Sequence, residues 1–171
     1  MNLSIGDQIV HPVHGAGQIS AEEQLDLVKG FERYYVIDFI GTDVVVHVPV
    51  RKMAELGLRP VMPGSRLARV RAILSGAPEP LAKNPKLRQT QIREKLNTGC
   101  PLKIAEVVRD LSWRKMGRTH LSPVDAGLLA WSRELLETEI AAITGTTICE
   151  ARQNINALLF SAMASDTLER P

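Results

Sequence analysis

Cysteine is almost missing from this chain: Cys100 and Cys149 are the only two among 171 residues. Two isolated thiols give neither a metal-type spacing nor a disulfide framework, so a reducing, cytoplasmic setting is expected. Long apolar runs are missing as well. The longest are of the size of Val44 to Val46 and Leu128 to Trp131, far below the ~18 residues a membrane span needs. The opening stretch, Met1 to Asp7, lacks the charged and apolar blocks of a secretory leader. Gly15-Ala16-Gly17 is followed by neither a lysine nor a helical pattern, so neither nucleotide-phosphate fingerprint fits.

What is present suffices for a core, with 44% hydrophobic against 23% charged residues. The length suits one ordinary domain or two small ones, at roughly 100–150 residues per domain. A formal net charge of +2 conceals a strong polarity along the chain. Residues 1–60 carry 5 Lys/Arg and 8 Asp/Glu, residues 64–120 carry 13 and 4, and residues 121–171 carry 3 and 7. The middle segment therefore concentrates +9, a field that collects a polyanion, with nucleic acid the leading partner.

The first 60 residues read as β structure. Gly6-Asp7 precedes a short strand at Gln8-Ile9-Val10, and His11 to Gly17 supplies a proline- and glycine-rich turn. Arg33 to Phe39 and Val44 to Pro49 are strand candidates separated by the hairpin chemistry of Gly41-Thr42-Asp43. Four or five short strands of this kind suggest a small SH3- or Tudor-like barrel. Pro60-Val-Met-Pro63-Gly64 stops the β region, which divides the chain into residues 1–62 and 63–171. Beyond it the apolar period becomes helical, as in Ile104, Val107, Val108 and Leu111. Helices are expected near 65–75, 85–97, 101–112, 123–144 and 147–164. Asn84-Pro85 and Ser122-Pro123-Val124-Asp125 carry cap signatures. The fold class is α+β: a small β barrel followed by an all-α part of about five helices.

Catalytic constellations find little support. His120, Ser122 and Asp125 are near in sequence, but no strained elbow or oxyanion loop surrounds the serine, which a helix cap already explains. His11 and His14 lack two further metal ligands nearby and read as turn residues. Val44 to Pro49 is more informative. Pro49 has no amide hydrogen and is tolerated on an edge strand, which is either blunted or a docking site for a partner strand. The ten cations Lys83, Lys86, Arg88, Arg93, Lys95, Lys103, Arg109, Arg114, Lys115 and Arg118 suit phosphate oxygens. Glu139 to Ile155 also scans as a helix-turn-helix whose second helix offers Arg152, Gln153, Asn154 and Asn156. One arginine against two glutamates is a poor electrostatic basis there, and simple packing of two final helices competes.

Several stretches carry a wider resemblance: Gly6-Asp-Gln-Ile-Val-His-Pro-Val-His-Gly-Ala-Gly17, Lys29-Gly30 before Tyr34-Tyr35-Val36-Ile37, Val46-His-Val-Pro49, Gly57-Leu-Arg59 and Lys103-Ile-Ala-Glu-Val-Val-Arg-Asp-Leu111. Together with Trp113 and Leu121-Ser122-Pro123, they resemble the CarD/CdnL family of bacterial transcription regulators. The amino-terminal Tudor-like module of that family is shared with transcription-repair coupling factor. The resemblance implies a monomeric regulator with no catalytic activity, cofactor or membrane partner, associated with the nucleoid through RNA polymerase. Its β module would dock on the polymerase β subunit through Val45, Val46, His47, Val48 and Pro49. The helical part would lie on promoter DNA at the upstream edge of the melted bubble, largely without sequence preference, through Asn84, Pro85, Lys86, Arg88 and Arg93. Two departures matter. The family commonly has arginine where His47 stands, which makes this contact weaker or pH-responsive. A tryptophan that acts as a minor-groove wedge in the family corresponds to Pro85, and Leu87 and Gln89 occupy two positions expected to be basic or aromatic. Pro85 reads chiefly as the first residue of a helix, and Trp113 and Trp131 as core residues.

Overall fold

In a computed structural model, which describes residues 3–117 and 120–169, five strands precede five helices. The strands are β1 (Gln8–His11), β2 (Gly15–Val28), β3 (Phe31–Phe39), β4 (Val45–Pro49) and β5 (Arg59–Pro60). All pairings are antiparallel and the order is β4-β3-β2-β1-β5. The sheet does not close into a barrel. Its edges are β4 and the two-residue β5; proline at positions 49 and 60 removes ladder donors from both. Ile9, Ile19, Tyr35, Ile37, Val48 and Leu58 form the core under the sheet.

β2 is the element that the sequence conceals. Its first half alternates, with Ile19 buried between exposed Gln18 and Ser20. A register shift then falls between Ile19 and Ala21, and Glu22-Glu23-Gln24 carries no apolar period. The distal half of β2 pairs with β3 alone, as an acidic two-stranded ribbon beyond the reach of β1.

The helices are α1 (Leu67–Leu74), α2 (Pro85–Asn97), α3 (Pro101–Met116), α4 (Pro123–Thr144) and α5 (Ile148–Glu169). Their apolar stripes meet in one core that includes Val70, Ile92, Val108, Leu111, Leu136 and Ile155. The expected caps are in place. Asn84 Oδ1 accepts from the Leu87 amide at 3.2 Å, and Ser122 Oγ from the Asp125 amide at 3.1 Å. Gly145, at φ +65°, ends α4 in the left-handed conformation that glycine adopts without penalty. Trp113 and Trp131 are only half-buried, not core residues; Trp131 packs against the helical core from its rim.

Sheet and helices are latched together. Glu139 of α4, fully buried, accepts from Arg59 Nη1 and Nη2 of β5 at 2.6 and 2.8 Å and from the Met62 amide at 2.8 Å. The same guanidinium donates through Nε to the Gly99 carbonyl in the α2–α3 turn at 2.9 Å. Thr138 Oγ1 accepts from the Ala16 amide at 3.1 Å. At Gly15, φ +76°, a Cβ would fall 2.5 Å from Thr138 Oγ1, so only glycine lets the β1–β2 turn approach α4. Val10, Ala16 and Ala142 seal the contact.

Candidate docking edge and nucleic-acid interface

β4 pairs with β3 from Asp38↔Val45 to Tyr34↔Pro49 and has no strand on its other side. Val45 is 51% exposed and His47 is exposed, whereas Val46 and Pro49 are half-buried. Val48 belongs to the sheet core, so it offers a partner only its backbone, not its side chain. His47 Nε2 lies 3.4 Å from Glu23 Oε2 on β2, a contact that becomes an ion pair on protonation. The chemistry available on this edge is a row of backbone donors and acceptors flanked by apolar side chains.

On the helical side, packing divides the expected cationic set. Arg88 is a correction: it is 2% exposed and cannot reach phosphate. Its Nη2 donates to Asp125 Oδ2 at 2.7 Å, its Nε to Oδ1 at 3.4 Å, and its Nη1 to the Ala82 carbonyl at 3.0 Å. The reason is helical phase, since Arg88 shares the inward stripe of α2 with Ile92 and Leu96. Burial alone would raise the Asp125 carboxyl, but hydrogen bonds from Arg88 and Ser122 outweigh it and hold the group below the usual carboxylate range. Lys95 is taken up by Glu106 at 2.8 Å, and Arg109 by Asp110 at 2.8 Å. Arg114 lies 3.8 Å from Asp125. Arg118 falls outside the described residues.

Exposed side chains with no carboxylate partner among the described residues are Lys83, Lys86, Arg93, Lys103 and Lys115, together with Arg66, Arg69 and Arg71 near α1. Asn84 and Pro85 are exposed at the start of α2 and do there what the cap signature demands. Leu87 is 52% exposed beside them.

Of the four residues on the alternative reading helix, two are committed to α4. Arg152 Nε donates to Glu137 Oε2 at 2.9 Å, and Asn156 Oδ1 accepts from Arg133 Nη2. Gln153 and Asn154 remain exposed. Ser122 serves as a cap and Asp125 is sealed by Arg88, so neither is arranged with His120 as nucleophile and orienter. His11 and His14 stack at 4.8 Å, and His11 Nδ1 accepts from the Val13 and His14 amides at 3.1 and 3.3 Å. That nitrogen closes a turn. Among the described residues no three His, Cys, Asp or Glu side chains gather in metal-binding proximity, and no helix is long and apolar enough to cross a membrane.

The chain thus joins a sheet whose edge strand β4 is unpaired on one side to a helical bundle carrying exposed cations without carboxylate partners among the described residues, and comparison gives its family. Residues 3–62 match the CarD-like/TRCF RID domain and residues 69–156 match the CarD C-terminal domain. The chain belongs to the CarD family of transcription factors. It is 32% identical over 145 residues, 85% of this chain and 94% of the other, to "Putative transcription factor YdeB" of Bacillus subtilis (strain 168).

Sequence reasoning missed the pairings Arg88–Asp125 and Arg59–Glu139, which join residues distant in the chain and have no local signature. Phe160 of α5 is 75% exposed. It stands off the apolar stripe of α5, next to Leu159, and that break in period was a legible signal.

Proposed function

We propose that this protein is a non-catalytic regulator that binds RNA polymerase through β4 and lays its helical part on promoter DNA beside the melted region. Residues 1–62 are the polymerase module and residues 63–171 the DNA module. The observation that carries this reading is the division of surfaces: an unpaired strand edge at Val45–Pro49, and unpartnered lysines and arginines on the helices. Phosphate contacts of this type are weak alone and strongly salt-dependent, so polymerase supplies the local concentration. His47, Val45 and Val46 are the side chains offered to the β subunit. Lys86 and Arg93 are those offered to the DNA backbone, with Asn84 and Pro85 shaping the helix start between them.

The test is retention of the full chain by the polymerase β subunit, followed by crosslinking on a promoter-bound polymerase. Val45→Glu with His47→Glu is expected to lower retention about tenfold. Unchanged retention sinks the β4 assignment. Crosslinks to polymerase without any to DNA would make the protein an adaptor. A discrete footprint without polymerase would favour the reading helix of Gln153 and Asn154.

A further inference from the structure

The apolar stripe of α5 carries Ala151, Ile155 and Leu159 into the helical core. Phe160 lies one position off that stripe, and its ring stands in solvent. It does not stand alone. A cleft of about 640 Å³ lies between the end of α3, α4 and α5, lined in part by Met116, Leu129, Leu159, Phe160 and Met163. Leu129 and Leu159 belong to the core, Met163 is half-buried, and Met116 is 54% exposed. Single exposed apolar residues are ordinary on any surface, but several that share one cleft and continue into the core mark a binding face.

The charge of this cleft has one sign. No carboxylate lines it among the described residues, whereas Lys115 and Arg133 do. Lys115 is exposed and has no carboxylate partner among those residues. Arg133 Nε donates to Glu137 Oε1 at 3.2 Å, yet Arg152 Nε takes the other oxygen of that buried carboxylate at 2.9 Å. One carboxylate between two guanidiniums leaves a positive charge over. Every lining residue sits in a helix, so the walls offer no strand ladder. An extended segment laid there would bury backbone amides without partners, while a helix arrives with its own backbone bonds made.

We infer that the cleft is a docking site for an acidic amphipathic helix of a protein partner, on residues other than those offered above to polymerase and DNA. Apolar side chains at i, i+4 and i+7 of the partner helix seat against Phe160, Met116 and Met163, over the two leucines. Carboxylates flanking that stripe meet Lys115 and Arg133. Methionine side chains adapt their shape to what covers them, which suits a face that is exposed until a helix arrives. A second copy of this chain fits poorly, because a two-fold axis would bring the same cations together across one seam.

Anisotropy titrations of the full chain with three labelled peptides, each of about five helical turns, test this. The first carries leucine at i, i+4, i+7 and i+11, with glutamate and alanine elsewhere. The second replaces each glutamate by lysine, and the third keeps the composition of the first in an order without a stripe. The first is expected to bind about tenfold more tightly than either of the others. Phe160→Ala should weaken it about tenfold, the scale of a central apolar contact, and leave the urea midpoint nearly unchanged, since the side chain is exposed. Lys115→Glu should weaken the acidic peptide and strengthen the lysine one, a reversal that damage to the fold cannot produce. Equal binding of those two peptides, no saturable binding of the acidic one, or affinity untouched by Phe160→Ala overturns the site. A dimer seen by sedimentation and abolished by Phe160→Ala overturns it in favour of a second copy. A single-stranded oligonucleotide whose binding that substitution abolishes overturns it in favour of nucleic acid.

Discussion

Arg88 shows how a single side chain changes role when its helix is packed. In water it is one more cation; 2% exposed against Asp125 it becomes half of a buried ion pair. Removing one partner of such a pair strands the other charge, at about 3–5 kcal/mol. Arg88→Ala is therefore expected to shift urea unfolding by that amount, whereas Lys86→Gln leaves the midpoint nearly unchanged. Salt titrations reverse the ranking: Lys86→Gln should reduce the slope of DNA binding by roughly one unit per lost phosphate contact. Asp125 adds a pH signature. Its folded pKa is depressed below the ordinary 3.8, so its contribution is present above the unfolded value and disappears as acid takes the pH below it. Asp125→Asn should flatten the acid limb of a stability profile below about pH 4; an unaltered limb would show that the pair is not what acid breaks.

At the scale of the element, the β1–β2 turn hangs on a neutral histidine. Burial, then the proximity of His14, lowers the His11 pKa from 6.5, and its Nδ1 is the acceptor for two turn amides. The unfolded chain therefore binds protons at a higher pH than the folded one. Stability is complete above pH 6.5 and declines as the pH falls through that value towards the folded pKa. Hydrogen exchange at the Val13 and His14 amides should accelerate, beyond its intrinsic pH dependence, between pH 7 and 5.5. His11→Asn, whose side-chain oxygen can cap the same amides, should remove this response. The β4 edge obeys a different logic, since its pairing capacity lies in backbone groups. Charge placed at position 45 or 47 is expected to disturb docking while sparing the fold, because neither side chain belongs to the sheet core.

In the whole molecule, the fixed relation between sheet and bundle rests on Arg59 and Glu139. One guanidinium holds a strand, the α2–α3 turn and a buried carboxylate at once. Arg59→Ala leaves Glu139 buried, with the Met62 amide as its one remaining hydrogen-bond donor among the described residues. The parent chain is expected to unfold in one transition and the variant in two, read by calorimetry, because the two cores then lose their polar coupling. A single transition in the variant would mean that the apolar contact of Val10, Ala16 and Ala142 suffices. Under the proposed function, with polymerase at one end and DNA at the other, this rigidity has a use, since flexible coupling would waste the local concentration that docking provides.

Helix positions, caps, the β-to-α division and the edge strand were all set by short-range features: periodicity, Asn-Pro and Ser-Pro starts, and a proline at the end of β4. Such features act within a few residues, so the chain alone determines them. The open sheet, the β2–β3 ribbon, the capture of Arg88 and Lys95 by carboxylates and the Arg59–Glu139 latch were decided by tertiary packing. The three ion pairs join groups 11 to 80 positions apart, and whether a cation faces solvent or a buried partner depends on which neighbour the fold brings to it. Cationic residue type was therefore fixed in the chain, while the subset left free for a polyanion was fixed only when the helices closed on one another.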